Sequence, residues 1–196
     1  MIPFTTLTAI AAPLIRDNID TDAIIPSREM KSVGKTGLAD GLFAGWRYRT
    51  IGSRDPDSAF ILNDPRYANA QILLAGANMG CGSSREHAAW ALAEFGFRAI
   101  VASSFNPIFR GNCVRNGIVP VEIDAAAIDA DGPITIDLLE QTLITGSGRT
   151  IAFAIDAEAK AMLIGGLDAI DLTLIRADEI AAFRLQDRAK RSWAYL

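Results

Sequence analysis

Gly76-Ala-Asn-Met-Gly80-Cys-Gly82-Ser83-Ser84-Arg85-Glu86-His87 stands between an apolar run, Ile72-Leu-Leu-Ala75, and a helical pattern that runs from Ser84 to Gly96. A glycine-rich turn therefore joins a buried strand to a helix N-terminus. The free N–H groups there carry roughly half a positive charge and favour anions. Arg85 adds a fork of donors that suits a carboxylate. Ser83 or Ser84, next to both, sits where a serine alkoxide is less costly than in water, so the stretch is suited to holding an acidic ligand and moving a proton. Ser83 and Glu86 have capping-box spacing. On spacing alone the structural reading carries more weight, because a serine before a helix is usually a cap and Gly-x-Gly is a weak signal. A dinucleotide-binding turn is disfavoured, since Arg85 stands where its third glycine belongs.

Outward from this turn the pattern repeats. Ala88, Leu92 and Phe95 form one stripe of the helix that Gly96 ends. Ala99-Ile-Val-Ala102 reads as a second buried strand, Pro107 to Asn116 as a short helix closed by Gly117, and Ile118 to Ile123 as a third strand. Pro120 puts that strand at an edge or near its end. Strand, helix, strand, helix, strand with short connections predicts an α/β fold with a mostly parallel core sheet. Beyond Asp124, Leu138–Ile144 and Thr150–Ile155 flank Thr145-Gly-Ser-Gly-Arg149 as an antiparallel pair. Two or three helices follow, the last from Asp178 to about Arg191 with Ile180, Phe183 and Leu185 on its inner side.

The 196 residues fit one domain, 1–196, with no repeat or linker to divide it. A net charge of −4 argues against a general nucleic-acid binder. Half the residues are hydrophobic and mean hydropathy is +0.21, which leaves apolar surface for a partner. No run reaches the ~18 apolar residues of a membrane helix. Met1 to Ala12 lacks a basic leader region and reads as a first strand rather than a signal peptide. Cys81 and Cys113 have no metal or redox spacing and suit a reducing cytoplasm. The single histidine, His87, can build neither a metal site nor a conventional triad.

Two further stretches stand out. Asn18-Ile-Asp20-Thr-Asp22 is an acidic turn whose side chains can cap their own backbone. From Ser27 to Ser58, five glycines (34, 37, 41, 45, 52) and six basic residues (Arg28, Lys31, Lys35, Arg47, Arg49, Arg54) interrupt any periodicity, so a long, basic, flexible loop is expected at about 27–58.

Gly80-Cys-Gly-Ser-Ser-Arg-Glu-His-Ala88 resembles the signature of the swivelling domain of the aconitase superfamily. Within it the chain is most similar to the separate small subunits of bacterial 3-isopropylmalate dehydratase. The likeness extends over Asn18–Pro26, Leu42-Phe-Ala-Gly-Trp-Arg47, Ser104-Phe-Asn-Pro-Ile-Phe-Arg-Gly-Asn112 and Gly166-Leu-Asp168. Ala89 stands where many relatives have proline and Met79 where an aromatic is common. Cys81 replaces the acidic residue of aconitase itself, which favours an isopropylmalate-type enzyme.

The resemblance implies a three-layer β/β/α domain and a hydro-lyase of leucine biosynthesis that interconverts 2- and 3-isopropylmalate. It implies Ser83 as the proton-transfer base and Asp22 as an active-site residue, with Asp20 left as turn structure. Ser84 and Arg85 would bind a small dicarboxylate substrate. Lys35 and Arg47, on a loop that sets substrate choice, would meet a substrate carboxylate or the partner's surface. It also implies a [4Fe–4S] cluster, which needs several thiolates at characteristic spacing; two unrelated cysteines cannot hold one. The cluster is therefore expected on a large subunit, with this chain as the other half of a cytoplasmic heterodimer. Related hydratases acting on citraconate, methylmalate or homoaconitate, and a non-catalytic anion-binding module, remain open at this level.

Overall fold

The computed structural model describes residues 1–31, 34–83 and 85–195. In chain order the elements are β1 (Thr6–Ala9), β2 (Ala11–Leu14), α1 (Thr21–Ile24), α2 (Ala44–Arg47), β3 (Ile72–Ala75), α3 (Glu86–Phe95), β4 (Ala99–Ala102), α4 (Pro107–Arg115), β5 (Val119–Glu122), β6 (Ile134–Asp137), β7 (Thr142–Ile144), β8 (Thr150–Ala152), α5 (Ala157–Gly165), α6 (Ala169–Leu174) and α7 (Ala177–Lys190). They build two four-stranded sheets, a parallel one in the order β2-β3-β4-β5 and an antiparallel one in the order β1-β6-β7-β8.

The parallel sheet is buried on both faces, which is why its strands are continuous apolar runs. Alternation sends Leu73, Ala75, Ile100 and Ala102 into a core shared with Ala88, Leu92, Phe109 and Cys113 of the helices. It sends Ile72, Leu74, Ala99 and Val101 to the other side, against Ile134, Ile136 and Leu143 of the antiparallel sheet. The layers are thus helix, parallel sheet, antiparallel sheet, and each fully buried Leu, Ile or Val contributes about 1.5–3 kcal/mol. Pro120, which lacks an N–H for the ladder, lies on the edge strand β5 as its chemistry requires.

Several local expectations are corrected. The first strand is two, with exposed Ile10 at the break: β1 joins the antiparallel sheet and β2 the parallel one. β6 was not legible as a strand. Leu138–Ile144 shortens to β7 because Gln141 takes a left-handed φ of 55° just before it. The basic 27–58 stretch is no featureless loop; it contains α2 and two 3-10 turns, Ser27–Glu29 and Ala39–Gly41, and sends Leu38, Leu42 and Phe43 into the core. Ile180, Phe183 and Leu185 are 39%, 61% and 74% exposed, so α7 has no inner side.

Candidate active site

The loops that leave the C-terminal ends of β2, β3 and β4 are stitched to one another, at the end of a parallel sheet where ligand sites form. Gly80 N–H donates to Ile19 O at 2.7 Å and Thr21 N–H to Cys81 O at 2.9 Å. Asp20 and Cys81 pair as a parallel bridge, and Met79 and Phe105 form a second one. Met79 N–H donates to Ser104 O at 3.0 Å and Asn106 N–H returns a bond to Met79 O at 2.9 Å. The three motifs singled out in the sequence, 18–26, 80–88 and 104–112, therefore meet.

Two backbone demands fix the turn. Gly80 has φ 76°, and a Cβ there would clash with the Phe109 side chain at its Cβ and the adjoining ring edge. Gly82 has φ 89°, a left-handed conformation that glycine tolerates best. Asn18 and Asn78 both sit at φ 56°, and Asn78 Nδ2 donates to Asn18 Oδ1 at 2.8 Å. Asparagine is one of the few other residues that accept this conformation.

Ser83 is exposed at the end of this turn, its carbonyl accepting from the buried Thr21 hydroxyl at 2.9 Å. Ser84 lies outside the described residues. Arg85 is the residue before α3, with φ −122° and ψ 114°, and its guanidinium is ion-paired with Asp22. The structure thus brings Ser83, Arg85 and Asp22 together. Asp20 is a cap, as read: its carboxylate accepts from Ala23 N–H at 2.6 Å and opens α1. Asp22 also lines an open cleft of about 790 Å³ with Ser27, Arg28 and Trp46.

The expected Ser83–Glu86 capping box is replaced. The helix starts at Glu86, later than the pattern indicated, without a side-chain cap from Arg85, and Glu86 Oε1 accepts from Asn116 Nδ2 at 3.1 Å instead. Lys35 Nζ lies 3.3 Å from Asn116 Oδ1 and 5.5 Å from the Trp90 ring centre. Arg47 donates to Ala39 O at 3.0 Å and Asn63 Oδ1 at 3.4 Å and covers the Phe95 ring, so its donors serve the fold of its own stretch. His87 packs its ring 4.7 Å from that of Trp90. Sequence reasoning missed Thr21, Asn116 and the Asn18–Asn78 pair; only the asparagines carried a signal, as turn residues.

The chain's own residues do not fit an iron–sulfur cluster. Cys113 is wholly buried and burial pushes its thiol pKa well up, so it stays protonated. Among the described residues no group of three His, Cys, Asp or Glu could hold a metal. Likewise, among them no helix is long and apolar enough to cross a membrane.

Known proteins are similar to this chain in sequence and fold. The family described as the aconitase C-terminal domain matches residues 1–126. A 3-isopropylmalate dehydratase small subunit from Cupriavidus necator is 53% identical over 205 residues, covering 100% of this chain and 99% of its own. One from Neisseria meningitidis serogroup C is 46% identical over 211 residues, with 100% and 99% covered. The crystal structure of the 3-isopropylmalate dehydratase LeuD from Methanocaldococcus jannaschii superposes with a TM-score of 0.70 at 27% identity, covering 89% of this chain and 99% of that one. With the aconitase-type fold, the assembled signature turn and full-length identity all in agreement, the chain belongs to the family of 3-isopropylmalate dehydratase small subunits.

Proposed function

We propose that this chain, as one swivelling domain, supplies the proton-transfer half of a 3-isopropylmalate dehydratase active site in leucine biosynthesis. The observation that carries the reading is the juxtaposition of Ser83 with the Arg85–Asp22 pair at the end of the parallel sheet. In the reaction 2-isopropylmalate loses the proton on C3 and the hydroxyl on C2 as water, giving isopropylmaleate. Water then returns with the opposite regiochemistry, hydroxyl to C3 and proton to C2, to give 3-isopropylmalate.

Proton removal beside a carboxylate is slow because negative charge accumulates on an anion, and positioned donors are the remedy. Ser83, in alkoxide form, takes the proton from one carbon and returns one to the other. Main-chain N–H groups at Arg85 and the start of α3 stabilise that alkoxide, and the Arg85 guanidinium, oriented by Asp22, holds a substrate carboxylate. A [4Fe–4S] cluster, held by a large subunit, would supply Lewis-acid chemistry toward the substrate hydroxyl. The working form is then a heterodimer in the cytoplasm, acting on a small dicarboxylate and on neither nucleic acid nor membrane.

The test is co-expression with a cluster-bearing large subunit under anaerobic conditions, following isopropylmaleate absorbance. Turnover needs both chains, and Ser83→Ala removes at least ~10³ of it while the complex still forms. Turnover of citraconate alone would keep the mechanism and change the pathway. A Ser83→Ala complex that retains activity would leave this turn a binding site for anions only.

A further inference from the structure

Glu94 occupies the last turn of α3, where a negative charge meets the negative end of the helix dipole and is locally unfavourable. Its surroundings explain it. Oε1 accepts from Gly37 N–H at 2.6 Å, and Oε2 from Leu38 N–H at 2.5 Å and Ala39 N–H at 2.9 Å. An ionised carboxylate can accept all three at once. Gly37, at φ 82°, turns the chain into this contact, and the buried Leu38 side chain seats it.

Two residues earlier stands Lys35. Its ammonium lies against Asn116, which in turn donates to Glu86, and over Trp90, whose buried indole N–H has no hydrogen-bond partner among the described residues. Lys35 thus meets the signature helix near its first turns, while Gly37–Ala39 are bound at its last. The bonds from Glu94 to Gly37–Ala39 hold the chain two residues beyond Lys35 and so restrict where its ammonium can stand along the helix. Local helix preference and the tertiary contact conflict at Glu94, the kind of conflict that marks a functional position.

We propose that Glu94 is a positioning residue for substrate binding: by holding Gly37–Ala39 on α3 it sets where the Lys35 ammonium stands to meet a substrate carboxylate. This rests on the dehydratase reading above.

Glu94→Gln keeps the shape but turns one acceptor into a donor facing backbone N–H groups. In the full two-subunit enzyme the expected result is a KM for 2-isopropylmalate raised about tenfold, the equivalent of ~1.4 kcal/mol, with kcat within about twofold. In a Lys35→Met background Glu94→Gln should add little further, because both changes remove the same contact. Independently of turnover, the full-length chain with Trp46→Phe and Trp193→Phe leaves Trp90 as its tryptophan, and Glu94→Gln should increase acrylamide quenching of Trp90. Additive effects of the two substitutions on KM would overturn the proposal, as would unchanged KM or unchanged quenching. Equal losses in kcat and melting temperature would also overturn it and assign Glu94 to general stability. If the parent complex turns over no isopropylmalate, the dehydratase reading fails, and with it the substrate role of Glu94; the quenching result then still tells whether the carboxylate holds the segment.

Discussion

At Gly80 the chain needs a left-handed φ of 76° and also lacks room for a side chain, because the Phe109 ring covers the Cα. Gly80→Ala should therefore cost about 2–4 kcal/mol, the sum of backbone strain and displacement of a buried ring. Urea unfolding measures it, and a cost below ~1 kcal/mol would show that Phe109 moves aside freely. Arg85 poses the complementary problem of holding a guanidinium still in a half-exposed place. Asp22→Asn removes the charge that orients it, so kcat/KM should fall about tenfold. Stability should barely change, since an exposed ion pair contributes only ~0–1 kcal/mol. A large fall in melting temperature with normal kinetics would make the pair structural. Ser83, Arg85 and Asp22 were legible because each stands inside a dense local motif. Thr21 was not, because its bond to the Ser83 carbonyl depends on the register of two segments 62 positions apart.

Elements were legible where one environment governs a whole run. β3 and β4 face apolar layers on both sides and read as unbroken Ile, Leu, Val and Ala, while the edge strand β5 carries Pro120 and ends on the exposed Glu122. Residues 6–14 hide a boundary: β1 alternates between more and less exposed positions while β2 is almost wholly buried, and the hydrophobic string runs through both. The start of α3 misled because Asn116, at the end of α4, takes the Glu86 carboxylate that a capping box would have used. The 35–39 segment depends on another distant carboxylate, and this one should titrate. Burial raises the Glu94 pKa, but the Gly37, Leu38 and Ala39 N–H groups outweigh it and hold the group below its ordinary 4.5. A depressed carboxylate stabilises fully above the unfolded value and loses that contribution as pH falls through the folded one. The amide shifts of Gly37, Leu38 and Ala39 should thus stay constant above pH 4.5 and move together below it. A midpoint at or above that value would mean the three bonds are weaker than their lengths indicate.

For the molecule as a whole, the two cores close before α7, with Leu172 of α6 the last side chain packed, partly buried, against them. Among the described residues Leu163 is the last wholly buried hydrophobic side chain, and nothing in α6 or α7 is buried. The spacing of Ile180, Phe183 and Leu185 could announce apolar positions but not whether the fold itself would cover them. Exposed apolar side chains contribute little to folding, since the ~25 cal/mol per Å² is gained only on area removed from water. The ties of the last helix are local, as in the Arg191 and Tyr195 contacts to Asp187. Deleting residues 177–196 should therefore change the unfolding free energy by no more than ~1 kcal/mol in urea. Loss of the isolated helix should lower helical circular dichroism without shifting the cooperative transition. A cost above ~2 kcal/mol, or a broadened transition, would require α7 to fold against the cores in solution more closely than its exposure allows.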